Sequence, residues 1–133
     1  MRKFFLSFLF MLVLSSCGGG GGGTGACSSE TSLTITSKWN SNGSVSSSVS
    51  GKVGVSLVAT PVITGVPSSC SGQATFAVTS GVSLPAGLSM DTTTGVISGT
   101  PTKGISIAGP QLVTMQLPGY SAVVVLDTIN IAP

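Results

Sequence analysis

The chain has 133 residues, with five Lys and Arg against three Asp and Glu, no histidine, and only 6% charged residues beside 41% hydrophobic ones. A near-neutral chain without clustered Lys or Arg lacks the electrostatic footprint that nucleic acid requires. Without histidine it also lacks the side chain that most readily exchanges protons near neutral pH.

Arg2 and Lys3 precede an apolar run from Phe4 to Leu14 that only Ser7 interrupts. These are the n-region and h-region of an export signal, and the run falls short of the roughly 20 residues a bilayer span takes. It closes in Leu14-Ser15-Ser16-Cys17, which resembles the bacterial lipobox of an apolar residue, two small residues and a cysteine. That resemblance implies a signal peptide over 1–16, cut before Cys17, with Cys17 lipidated through its sulfur. The alternative is an ordinary cleaved signal with a chance cysteine after it. Several acyl chains, at about 0.8 kcal/mol per buried CH₂, make a durable anchor where a single chain is marginal. The implied location is the bacterial cell envelope, and the outer membrane if the cell has two, because no acidic residue follows Cys17.

Six glycines, Gly18 to Gly23, then Thr24 and Gly25 follow. Residues 17–26 therefore read as the anchor and a flexible linker. The run is no phosphate-binding loop, since no Gly-Lys-Ser/Thr follows it and no strand of the mature chain precedes it. Residues 27–133 remain, roughly 100 positions, enough for one small core and not two. Past the signal, Lys38, Lys52 and Lys103 balance Glu30, Asp91 and Asp127. Richness in Val, Ile and Thr separates this neutral chain from disordered ones.

Cys27 and Cys70 are the pair left once Cys17 is modified. In an exported protein such a pair reads as a disulfide. Closing that loop stabilises by about 4 kcal/mol at most on a chain-entropy basis. A zinc site is the rival and fails for want of ligands, because two thiolates without histidine do not complete one.

Strand signals recur along the domain, and no segment holds a helical period. Leu33 and Ile35 alternate with Thr34 and Thr36; Val53, Val55 and Leu57 alternate with Gly54, Ser56 and Val58, and Val62-Ile63 continue past Pro61. Phe76 and Val78 share a face. Val113, Met115 and Leu117 alternate with Thr114 and Gln116, and Pro118-Gly119 fits a type II turn. Ser121 to Ile131 opens with Ala-Val-Val-Val-Leu, apolar on both faces, as a central strand can be. The Pro-containing segment 101–110 reads as an insert. Six or seven short strands with Gly and Pro punctuation predict an all-β sandwich.

The stretch Leu84-Pro-Ala-Gly-Leu-Ser-Met-Asp-Thr-Thr-Thr-Gly-Val-Ile-Ser-Gly-Thr-Pro101 predicts two short strands, Leu88–Met90 and Val96-Ile97. In the turn between them Asp91 folds its carboxylate onto nearby N–H groups, and Gly95 takes a positive φ. This stretch resembles the signature of bacterial immunoglobulin-like domains, relatives of cadherin-like and dystroglycan-type repeats that are common in surface proteins. The resemblance spans about residues 50–131 and implies an immunoglobulin-like β-sandwich of about seven antiparallel strands. It says little about activity.

Candidate sites are few. A serine nucleophile needs a base within reach, and Lys38, Lys52 and Lys103 sit in no recognisable motif, so no enzyme and no cofactor are expected. Cadherin-like relatives bind calcium, which takes six to eight oxygens, several from carboxylates. Asp91 matches the signature's Asp, yet no acidic cluster accompanies it, so it reads as a turn residue and only weakly as a metal ligand. Asp127 faces solvent or marks a bulge, since an unpaired buried carboxylate is costly. Glycan binding uses aromatic platforms, for which Trp39 and Tyr120 are the weak candidates against a plain role in the core. Three functions result: adhesion or assembly through contacts with envelope proteins, a calcium- or polysaccharide-binding module, and a passive spacer in an envelope complex. Exposure of Trp39 and Tyr120 on one face would favour glycans, and an uncovered strand edge would favour assembly.

Overall fold

Alternation decides where the strands begin. In the computed structural model, which describes Cys27 and residues 33–133, Leu33, Ile35, Ser37, Trp39 and Ser41 share one inward face. Strand β1 spans Thr36–Ser41, so the first strand starts later than Leu33-Ile35 and holds Trp39 near its middle rather than beyond its end. The period of two was present in the sequence, but Ser, Lys and Asn at its later positions look like loop. The expected signal peptide at 1–16, Cys17 and the linker to residue 26 lie outside the described residues.

The chain continues through β2 (Ser44–Ser46), β3 (Val49–Lys52), β4 (Leu57–Thr64), β5 (Thr75–Val78), β6 (Leu88–Met90), β7 (Ile97–Gly99), β8 (Ile105–Gln116) and β9 (Val123–Ala132). One sheet has the order β2-β1-β4-β7-β6 and the other β3-β9-β8-β5. Their inward faces meet in a core of Trp39, Val49, Leu57, Ala59, Phe76, Ile97, Leu112, Val113, Met115, Leu117 and the inward residues of β9. This is the expected all-β, immunoglobulin-like sandwich.

Two features refine the expectation of about seven antiparallel strands. The edge that enters the sandwich is divided into three. Asn40 Oδ1 accepts from Gly43 N at 2.9 Å, and Asn42 grips β4 through Ser56 O and Val58 N. These bonds fold β2 back on β1. Ser46 Oγ then accepts from Ser48 N, the chain changes sheets, and Val49 enters the core. As a result β3 runs parallel to β9, from Val49 opposite Ile129 to Lys52 opposite Ala132. The other strand pairs are antiparallel.

Two segments differ from their sequence patterns. Val53 and Val55 belong to a turn, closed by Val55 N to Lys52 O at 3.2 Å and by Gly54 N to Pro101 O at 2.9 Å; β4 begins only at Leu57. Past Ala59 the β7 flank of β4 is unpaired, which is where a strand tolerates Pro61. Residues 105–110, expected within an insert, are the first half of β8, with Ile105 opposite Ile131 and Ile107 opposite Ile129. The Pro118-Gly119 turn forms as expected, with Gly119 at φ 85° and Tyr120 N donating to Leu117 O at 3.1 Å.

A bulge in β9 joins the two sheets. Val113 pairs with Leu126 and Thr114 with Val124, which leaves Val125 as the extra residue. A bulged residue drops out of the ladder. Val125 O instead accepts the Trp39 indole N–H from the opposite sheet at 2.8 Å, and Trp39 is fully buried.

Candidate functional site

The signature stretch is the β6–β7 hairpin and its flanks. Asp91 Oδ1 accepts from Thr93 N at 2.8 Å and Thr94 N at 3.0 Å. Asp91 N donates to Val96 O, and Gly95 N to Asp91 O at 2.8 Å. Gly95 has φ 74°, and a Cβ there would come within 2.8 Å of the Phe76 ring, so the turn and the β5 packing both exclude a side chain. Outside the turn, a Cβ on Gly99 would lie 2.0 Å from Gly87 O: the two ends of the signature pass backbone against backbone. Asp91, Gly87, Gly95 and Gly99 of the signature thus have structural roles, as residues that shape the hairpin and its close backbone contacts.

The amides of Thr94 and Thr93 hold the Asp91 carboxyl below its ordinary value. A lowered folded-state pKa stabilises fully above the unfolded-state value and is lost as pH falls through the folded one. Asp91→Asn keeps an oxygen acceptor and removes the charge. Melting temperatures of the two proteins will therefore differ by a constant gap above pH about 4 and converge as pH drops below it. A gap that persists at the acid end would show that the charge contributes nothing to the turn. Calcium is expected to leave both melting curves unmoved, since Asp91 Oδ1 already serves its own turn. Among the described residues no three His, Cys, Asp or Glu side chains gather at one place.

The aromatic candidates do not share a face. Trp39 is enclosed in the core and offers no platform. Tyr120 is half-buried just past the end of β8, where its hydroxyl reaches Cys27 O at 3.4 Å and Gln116 Nε2 bonds its carbonyl. Cys27 and Cys70 are joined in a disulfide across 43 positions, both buried, as the sequence predicted. The bridge seats Cys27 against the 3₁₀ turn Ser68–Cys70, where Ser69 Oγ also donates to Cys27 O. Asp127 is exposed, two residues past the bulged Val125, and lines a shallow recess of about 130 Å³ with Ser37 and Ser47.

A strand edge is what the sequence did not announce. Strand β5 pairs with β8 only from Val113 to Gln116, with one further bond from Thr79 N to Leu112 O. After Thr79 the chain turns away, closed by Val82 N to Thr79 O. The flank of Ile105–Gln111 opposite β9 consequently has no partner strand among the described residues. Beside it lies a groove of about 360 Å³ lined by Thr79, Val82, Ile107, Ala108, Gly109, Gln111 and Leu112. Ile105 and Ile107 sit opposite the buried Ile131 and Ile129 and so face the core side, yet Ile105 is 41% exposed and nearby Val82 37%. The Ile-Ser-Ile alternation at 105–107 was the available signal, masked by Gly104, Gly109 and Pro110.

A family model described as Putative Ig domain matches residues 34–106. The match runs from just before β1 into the first residues of β8 and contains the whole signature hairpin. A comparison with curated proteins finds no match.

Proposed function

The chain belongs to the Putative Ig domain family, and from that premise we propose that it is a non-enzymatic protein-contact module of the bacterial cell envelope, lipid-anchored at Cys17 and serving adhesion or assembly. The observation that carries this reading is the uncovered edge of β8 with its apolar groove. Unpaired backbone N–H and C=O groups beside apolar side chains are what strand-adding partners use. The groove lining contains no ionisable side chain, and the burial of Trp39 takes away the aromatic platform a glycan site would want. The Leu14-Ser-Ser-Cys17 sequence supports the anchor, and the glycine run after it suits a tether that lets the domain reach neighbours.

Cys17→Ser tests the anchor. The wild-type protein should fractionate with membranes and carry the added mass of acyl chains, and the variant should lose both. A native protein of unmodified mass sinks the anchor. For the contact reading, cross-linking in intact cells followed by mass spectrometry should recover the domain joined to envelope proteins or to itself. Recovery as an uncrosslinked single chain would count against it.

A further inference from the structure

We infer that the open flank of β8 is a self-association site, at which Ile105–Gly109 of one copy pairs antiparallel with the same segment of a second copy; this rests on the protein-contact reading and names its partner. A lane beside β8 is left open where β5 turns away. Strand β5 fills the place beside Val113–Gln116, and residues 109–112 of β8 then fall out of register with β9. Before them no strand pairs the outer flank of Ile105–Ala108 among the described residues, and the turn from Thr79 to Val82 only borders it across the groove. An incoming strand about 4.8 Å from β8 would occupy that lane and satisfy the unpaired backbone groups.

The segment fits its own copy. In an antiparallel pair centred on Ile107, Ile105 stands opposite Gly109 and Ser106 opposite Ala108, while Ile107 meets its counterpart on the two-fold axis. The inward face then sets a large side chain against none at the flanks, and the outward face sets small against small. Period-two alternation keeps Ile105 and Ile107 on the groove side in both copies. Pairing would cover Ile105, now 41% exposed, together with the groove beside Val82.

Charge agrees with this occupant. Natural sheet edges are commonly guarded by lysine or another charge, and no charged residue occurs from Gly104 to Leu126. Lys103, the nearest charge, falls opposite Gln111 of the second copy, so the two lysines lie at opposite ends of the pair. Pro110, which has no N–H, ends the compatible stretch at Gly109. A two-fold, edge-to-edge contact of this kind is closed and stops at two copies.

Two variants of the full chain test the site. Ile107→Cys, oxidised mildly in its own membranes, should give a covalent dimer, and Thr60→Cys on the exposed outer face of β4 should not. For the protein without added cysteines, native mass spectrometry from detergent should find two chains at concentrations up to about 1 mM. Ala108→Lys, at an exposed position, should return it to one chain that still melts cooperatively, because each lysine would be set against Ser106 of the other copy and lie on the diagonal, about 7–8 Å from its counterpart. Dimers that survive Ala108→Lys, or cross-link equally from Thr60→Cys, place the contact elsewhere and overturn the β8 site while leaving the protein-contact function standing. A wild-type chain that stays single throughout this range overturns self-association. If it also cross-links to no envelope protein in cells, the protein-contact reading falls with it.

Discussion

Trp39→Ala will lower the unfolding free energy by about 3–5 kcal/mol, the range for removing a large buried aromatic. Trp39 is fully enclosed between the sheets, so truncation leaves a cavity that the Val125 bulge cannot collapse into without disturbing the β8–β9 ladder. Trp39→Phe isolates the hydrogen bond. It keeps most of the ring but strands Val125 O, which has lost its β8 partner to the bulge. An unsatisfied buried carbonyl costs about 1–3 kcal/mol. In a domain of this size each kcal/mol shifts the melting temperature by about 4–8 °C, so calorimetry will resolve both variants. The chain has a single tryptophan, which makes its fluorescence a probe of the wild-type core. A Trp39→Phe variant as stable as wild type would show that the indole N–H adds nothing to the join between sheets.

Loss of the Cys27–Cys70 disulfide will cost about 2–4 kcal/mol, the usual range for such a bridge. The effect has two sources. The unfolded chain regains the freedom of a closed loop, and the native state loses what holds Cys27 in place. Ser69 and Tyr120 both bond Cys27 O, and neither contact alone would retain a residue so near the start of the domain. Cys27→Ser/Cys70→Ser should therefore melt lower than wild type and match the reduced wild-type protein. Peptide mapping without reductant should find residues 27 and 70 joined. Free thiols at both positions in freshly purified protein would contradict the bridge, and equal melting temperatures would remove its role in stability.

What could be read from the sequence was local. The hairpin from Leu84 to Pro101 announced its strands, its Asx turn and its glycine because each follows from residues only a few positions apart. The same holds for Pro118-Gly119, and the disulfide needed only a count of cysteines and an exported context. Trp39 was harder, because the face it shares with Ser37 and Ser41 is carried by residues that look polar. The bulge at Val125 is set by the register of β8 against β9, which no local pattern encodes. The parallel β3–β9 pair arises from a change of sheet at Ser47-Ser48, again a long-range event. The open flank of β8 was least legible of all. An edge is defined by what fails to lie beside it, and that depends on where β5 turns away, some thirty positions earlier.

The disulfide also fixes how the domain would carry tension. A pull between the segment preceding Cys27 and the end of β9 enters at Cys27 and crosses the sulfur bridge straight to Cys70. Residues 28–69, with β1 through β4, are then outside the covalent path of the force. They cannot be drawn out while the bridge holds, however far β5 through β9 are stretched. Reduction would reopen that reserve of chain, so the length to which the same domain can be drawn out is set by whether the bridge is intact.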